Sequence, residues 1–125
     1  VDGKHEYLIN KDIQAFGLRQ SGNQLLVPTR DADSALWSLQ TITPNGEKRF
    51  KAGGKKTGHF HLIGAIEDRI IICEGYATAA SIHQAIGDAV AVAFDCHNIL
   101  PVAKALRERN PVTVLVIAAD NEQGR

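Results

Sequence analysis

Three apolar runs, each closed by a carboxylate, do most to limit what this chain can fold into. Residues 69–73 read Arg-Ile-Ile-Ile-Cys and end on Glu74-Gly75; residues 89–94 end on Asp95; residues 112–119 end on Asp120-Asn121-Glu122. A short, uninterrupted, β-branched apolar run is how a strand buried on both faces reads. Between the first two runs, residues 77–86 have a helical composition, with Gly87 as a natural stop. Between the second and third, Asn98 is a suitable N-cap for a helix over residues 99–108. Pro101 falls in its first turn, where a missing N–H costs little, and Asn110-Pro111 ends it. Strand–helix–strand–helix–strand implies right-handed crossovers and a parallel sheet. The expected fold class is therefore α/β, with a Rossmann-like βαβαβ sheet.

The first half has another rhythm. Residues 24–28 are an apolar run closed by proline, residues 35–43 partly alternate, and Pro44-Asn45-Gly46 is a strong turn signal. These predict a hairpin or meander over residues 24–52. Residues 53–58 read as a flexible basic loop, residues 59–63 as a further short strand, and residues 64–68 as a junction. Two parts follow: a β-rich lobe over 1–65 and a parallel-sheet domain over 66–125. The net charge is zero, yet residues 1–65 carry nine Lys/Arg against six Asp/Glu, and residues 66–125 carry five against eight. That asymmetry suits a polyanion held by one part and metal ions held by the other; ordinary variation between two halves fits equally well.

Composition removes several classes. At 44% hydrophobic, the chain can bury a core and is not disordered. No run of 18 apolar residues and no signal-peptide pattern is present, so no membrane role and a cytoplasmic location are expected. Cys73 and Cys96 form no disulfide framework. Cys73 reads as a buried thiol, and Cys96-His97 lacks a matching pair for zinc. The chain begins with Val, which reads as an excised fragment.

In open parallel sheets, ligands bind beyond the carboxyl ends of the strands. Neighbouring strands lie about 4.8 Å apart, so carboxylates from two such ends can share a site. Clustered carboxylates repel one another unless a cation lies between them. Mg²⁺ prefers hard oxygen ligands and keeps several waters, so a few carboxylates and a substrate phosphate suffice. Glu74 is the candidate acid/base, Asp120 and Glu122 are the candidate metal ligands, and Gly75 is expected to let the backbone turn after the strand. Asp95 reads better as a cap for the following helix.

At these residues the sequence resembles a known family. Ile-Ile-Ile-Cys-Glu74-Gly75-Tyr76 resembles the first Toprim motif, an apolar strand ending in Glu-Gly. Val-Leu-Val-Ile-Ala-Ala-Asp120-Asn121-Glu122 resembles the second, an apolar strand ending in Asp-x-Asp. The segment from Leu26 through Arg30-Asp31, Glu47-Lys48-Arg49-Phe50 and Phe60-His61-Leu62-Ile63-Gly64 is similar to the basic lobe that precedes Toprim in DnaG-type primases. The stretches from Tyr76 to Ala80 and at Asn98-Ile99 look most like primases of conjugative plasmids and phages. The resemblance implies a Toprim-type fold and a DNA primase that makes RNA primers on single-stranded DNA from nucleoside triphosphates. It implies Mg²⁺, with Mn²⁺ as a substitute, and a helicase or other replication or transfer proteins as further partners. Glu74 would be the acid/base, and Asp120 and Glu122 the Mg²⁺ ligands. Three departures stand out. Glu122 replaces the second Asp, Thr78 stands where replicative primases carry Asp, and the chain stops at Arg125, where the family continues with another strand, helix and acidic pair.

Lys48, Arg49, Lys51, Lys55 and Lys56 cluster beside Phe50 and Phe60. In the primase context they are expected to contact nucleic acid, the alternative being a solvated hairpin tip. His59 and His61 are expected at the surface or in packing, and Trp37 in the core or between lobes rather than as a base-stacking platform. Two rival functions remain: a Toprim nuclease or topoisomerase-like strand-cleaving enzyme, and a non-catalytic DNA-binding module. The first would need metal-dependent nicking, and a topoisomerase also a nucleophilic tyrosine, for which only Tyr7 and Tyr76 are available.

Overall fold

A computed structural model describes residues 3–50 and 57–118. It contains two four-stranded sheets. The first is an antiparallel meander of β1 (Arg19–Ser21), β2 (Gln24–Arg30), β3 (Leu36–Ile42) and β4 (Lys48–Phe50), in that order. A short helix, α1 (Glu6–Lys11), precedes it. Neither α1 nor β1 was expected. The helix is capped by His5, whose Nδ1 accepts from the Tyr7 N–H at 3.2 Å, and imidazole is not among the favoured capping groups. The Arg-Gln-Ser strand offers no apolar alternation and owes its place to pairing with β2.

The second sheet has the order β5 (His61–Ile63), β7 (Ala89–Val92), β6 (Arg69–Cys73), β8 (Val114–Ile117). The strands β7, β6 and β8 are parallel, and β5 is an antiparallel edge that lies before residue 66 in the chain. The expected α/β class and parallel βαβαβ unit are present. Two helices connect the parallel strands: α2 (Tyr76–Ile86), ended by Gly87 at φ 78°, and α3 (Ile99–Arg109).

Alternation along the central strands divides the core. Ile71, Cys73, Val90 and Val92 face α2 and the meander, where Tyr76, Ala79 and Ala80 meet Leu25, Val27 and Ile42. Ile70, Ile72 and Ala91 face Val102 and Leu106 of α3. Burial of both sheet faces accounts for the uninterrupted apolar runs of β6 and β7. The third run behaves differently. It was expected to be buried on both faces, but β8 has only β6 beside it among the described strands, and Val114 is 57% exposed. Its sequence resembles that of β6, but its place at the edge leaves Val116 and Ile117 exposed too.

Asn98 also departs from expectation. A 3-10 turn over Cys96–Asn98 precedes α3 and is capped by Asp95, whose Oδ1 accepts from the His97 N–H at 2.9 Å. The Asn98 side chain makes no cap bond. It is buried, donates to the carbonyls of His59 (3.0 Å) and Ala93 (2.8 Å), and accepts from the Gly58 N–H (2.7 Å). It therefore braces the segment entering β5 against the end of β7.

Candidate active site

The chain leaves β6 through α2 to reach β7 on one side, then returns through α3 to β8 on the other. Strand order reverses between β6 and β8, and the crevice at their carboxyl ends is the position where open α/β sheets bind ligands. Glu74 stands there, half-buried, directly after β6. Its carbonyl accepts from the Phe94 N–H at 2.8 Å, and the Cys73 carbonyl accepts from the Ala93 N–H at 2.8 Å, so the ends of β6 and β7 are tied together. On the other flank the Ala118 N–H donates to the Ile72 carbonyl at 2.9 Å. Asp120 and Glu122, the expected metal ligands, lie outside the described residues, two and four positions beyond Ala118.

The expected reason for Gly75 does not hold. Its φ of −107° and ψ of 152° are open to any residue, so no sharp turn requires glycine. Close packing does not require glycine either, because a Cβ there would meet its nearest neighbour only at an ordinary contact distance. A Cβ built on Gly75 would stand 4.0 Å from the Lys48 Nζ, which also lies 6.0 Å from the centre of the Tyr7 ring. The strand β4 therefore reaches over the carboxyl edge. Phe50, two residues on and on the same face, packs edge-to-face on Phe94 with ring centres 5.1 Å apart. Phe94 itself has φ 73°, a conformation that bulky residues seldom adopt and that fixed neighbours must hold.

Of the five basic residues named from sequence, the two described ones, Lys48 and Arg49, face different ways. Lys48 meets the Glu74–Gly75 turn, whereas Arg49 points to the other face and pairs with Glu47 at 2.7 Å. Lys51, Lys55 and Lys56 lie outside the described residues.

Both tyrosines are buried. The Tyr76 hydroxyl donates to the Gln14 carbonyl (2.8 Å) and accepts from the Phe16 N–H (2.7 Å), and burial pushes its pKa up to about 12. Tyr7 is likewise buried, with its pKa raised by desolvation. Neither is placed as an exposed nucleophile. His61 is buried as well. Its Nε2 shares a hydrogen bond with the Phe16 carbonyl at 2.7 Å, and desolvation lowers its pKa, which favours the neutral ring. Gly17 makes this fit possible: it sits at φ 72°, and a Cβ there would stand 3.0 Å from the His61 ring.

Magnesium is the ion that the fold family implies. Glu74 fits it in kind, offering hard carboxylate oxygens at a half-buried crevice. Among the described residues, Asp95, Cys96 and His97 also bring one ligand atom each to within 4.8 Å of one another. Thiol and imidazole suit zinc better than magnesium. No described helix is long and apolar enough to cross a membrane.

Known proteins resemble this chain in sequence. The chain is 37% identical over 125 residues to a DNA primase TraC of Escherichia coli, covering 94% of this chain and 12% of that protein. A second DNA primase TraC of Escherichia coli is 38% identical over 125 residues, with 94% of this chain and 9% of that protein covered. The chain thus spans roughly a tenth of the length of these curated relatives. The Toprim domain family matches residues 69–125, the stretch that begins with β6 and carries Glu74. The second half of this chain is thus similar to the Toprim domain family, within a sequence that resembles these primases along nearly its whole length.

Proposed function

We propose that the chain is part of a DNA primase catalytic core that joins nucleoside triphosphates into RNA primers on single-stranded DNA, with Mg²⁺ and with Mn²⁺ as a substitute. The observation that carries this reading is the meeting of Glu74, at the switch-point crevice, with the Lys48 ammonium brought to the adjoining Gly75. Nucleotidyl transfer can use both. A 3′-hydroxyl oxygen attacks the α-phosphorus, the bond to pyrophosphate breaks, and the hydroxyl proton must be taken up. Glu74 is the base for that proton, and Lys48 faces the phosphates with a compensating charge. Bound Mg²⁺ would polarise the phosphate, and Asp120 and Glu122 are the proposed residues to hold it. Arg49, Lys51, Lys55 and Lys56 are proposed to contact the nucleic acid. A helicase or other replication or transfer proteins are the proposed partners.

The test is primer synthesis by the full-length protein on single-stranded DNA with nucleoside triphosphates and Mg²⁺. Glu74→Gln is expected to lower synthesis by about 10²- to 10⁴-fold with unchanged circular dichroism. Asp120→Asn is expected to act similarly. Retained synthesis in folded Glu74→Gln would refute the assignment. Metal-dependent nicking of plasmid DNA without nucleotide incorporation would replace it with the nuclease reading.

A further inference from the structure

Trp37 does not pack in the core. It is 47% exposed, yet it is held in place. Its Nε1 donates to the Asp31 Oδ2 at 2.8 Å, and its ring lies on the His59 ring, with centres 4.8 Å apart and planes 15° from parallel. His59 beneath it is only 9% exposed, and its carbonyl is braced by Asn98. Asp31 is fixed in turn. It accepts from the N–H groups of Asp33 and Ala35, and the bond from Trp37 contributes most to holding its carboxyl below the usual range. An exposed indole in solution ordinarily samples several rotamers; this one has a hydrogen bond at its edge and a stacked ring at its back.

The position matters as much as the rigidity. His59 lies two residues before His61, which pairs with Val92, so it stands level with the end of β7. Asn98 ties it to Ala93, and the next residue, Phe94, bonds to Glu74. The stack therefore lies on the same sheet edge as Glu74. It is displaced by two strand spacings, about 10 Å. Beside it, Arg30 and Asp31 enter a groove of about 390 Å³ that Arg19 and Arg109 also line. Arg109 is paired there with Asp33, and Arg30 donates to the Ser34 carbonyl, so a phosphate backbone entering the groove would share these arginines with their present partners; the fixed indole at its rim matches an unpaired base.

We propose that Trp37, backed by His59, is a base-stacking platform that holds the single-stranded DNA template beside the Glu74 edge. This rests on the primase reading for the identity of the strand, although the stack would bind an unpaired base whatever the enzyme does with it. The ring presents a π-face, so the platform takes any base, and the arginine groove carries the backbone.

The experiment is anisotropy of a labelled single-stranded oligonucleotide with the full-length protein across a salt series. Trp37→Ala is expected to weaken binding by about 5- to 150-fold, the cost of one lost base stack. The slope of log Kd against log salt should stay unchanged, because no phosphate contact is removed. Trp37→Phe should restore most of the affinity. Photo-crosslinking of an oligonucleotide carrying 5-iododeoxyuridine to the wild-type protein should modify Trp37, which tests the proposal even if the alanine variant fails to fold. Unaltered affinity in folded Trp37→Ala, an equal loss on duplex DNA, or adducts that avoid Trp37 would each overturn it. Primer synthesis measured in parallel separates the two ideas. Normal priming with no effect of Trp37 removes the platform alone, and a Trp37-dependent grip without any priming removes the primase reading alone.

Discussion

Replacing Tyr76 by Phe and, separately, Tyr7 by Phe should have opposite consequences, although both remove one hydroxyl from the same core. The Tyr76 hydroxyl serves two partners in the segment before β1, the Gln14 carbonyl and the Phe16 N–H. Its loss leaves no cavity of note but strands a donor and an acceptor in a partly buried place. At about 1 kcal/mol or somewhat more for each, the cost is about 2–3 kcal/mol. The Tyr7 hydroxyl is buried with no hydrogen-bond partner among the described residues. Removing it should cost nothing or stabilise by up to about 1 kcal/mol. Urea unfolding followed by circular dichroism reads both. With a slope of roughly 1–3 kcal/mol per molar, the Tyr76→Phe midpoint falls by about 1 M or more at unchanged slope, while the Tyr7→Phe midpoint holds or rises. Alkali supplies a second reading. The folded Tyr76 pKa is raised to about 12, above the value near 10 of an unfolded tyrosine, so the unfolded chain loses its proton first. The contribution is complete below pH 10 and is lost as pH rises towards 12, and Tyr76→Phe should make that decline shallower. Equal destabilisation by the two substitutions, or an unchanged alkaline decline, would refute the hydrogen-bond account.

Two further outcomes follow from the same core. Desolvation lowers the His61 pKa, so its ring should titrate below the ordinary value near 6.5 in an NMR pH series; because the unfolded chain takes up that proton more readily, stability is full above about pH 6.5 and is lost as pH falls. A midpoint at or above 6.5 would contradict the burial. Asn98→Ala should destabilise by about 2–4 kcal/mol in thermal or urea unfolding, since it orphans the Gly58 N–H and two carbonyls, and Asn98→Asp, which keeps only the acceptor, should recover no more than part of that.

Much of the sheet was legible because burial on two faces writes itself as an unbroken apolar run. The runs ending at Glu74 and Asp95 were placed in this way, and Asp95 as a cap was read from the helix start beyond it. Position within the sheet was not legible. The apolar run of β8 matches that of β6, and only strand order makes one central and the other the outermost of the described strands. Local signals also misled where a distant partner won. Asn98 has the right residue type for a cap, but the carbonyls of His59 and Ala93 claim its side chain. Trp37 has the size of a core residue, but Asp31 and His59 hold it at the surface. Lys48 and Arg49 were neighbours in one basic stretch of the sequence; the register of β4 against β3 is what sends Lys48 towards Gly75 and Arg49 to the other face. Asp120 and Glu122 remain readings of the sequence.

The face of β6 and β7 that carries Ile71, Cys73, Val90 and Val92 is completed by Leu25, Val27 and Ile42 from the other half of the chain. The stretch that recurs across the Toprim family is thus not a self-sufficient module here. Were it grafted onto a foreign partner, that partner would have to offer a matching apolar surface, or the graft would expose one. Exchange of lobes between lineages should therefore leave a trace: substitutions at Leu25, Val27 and Ile42 ought to track those at Val90 and Val92, as parts inherited together.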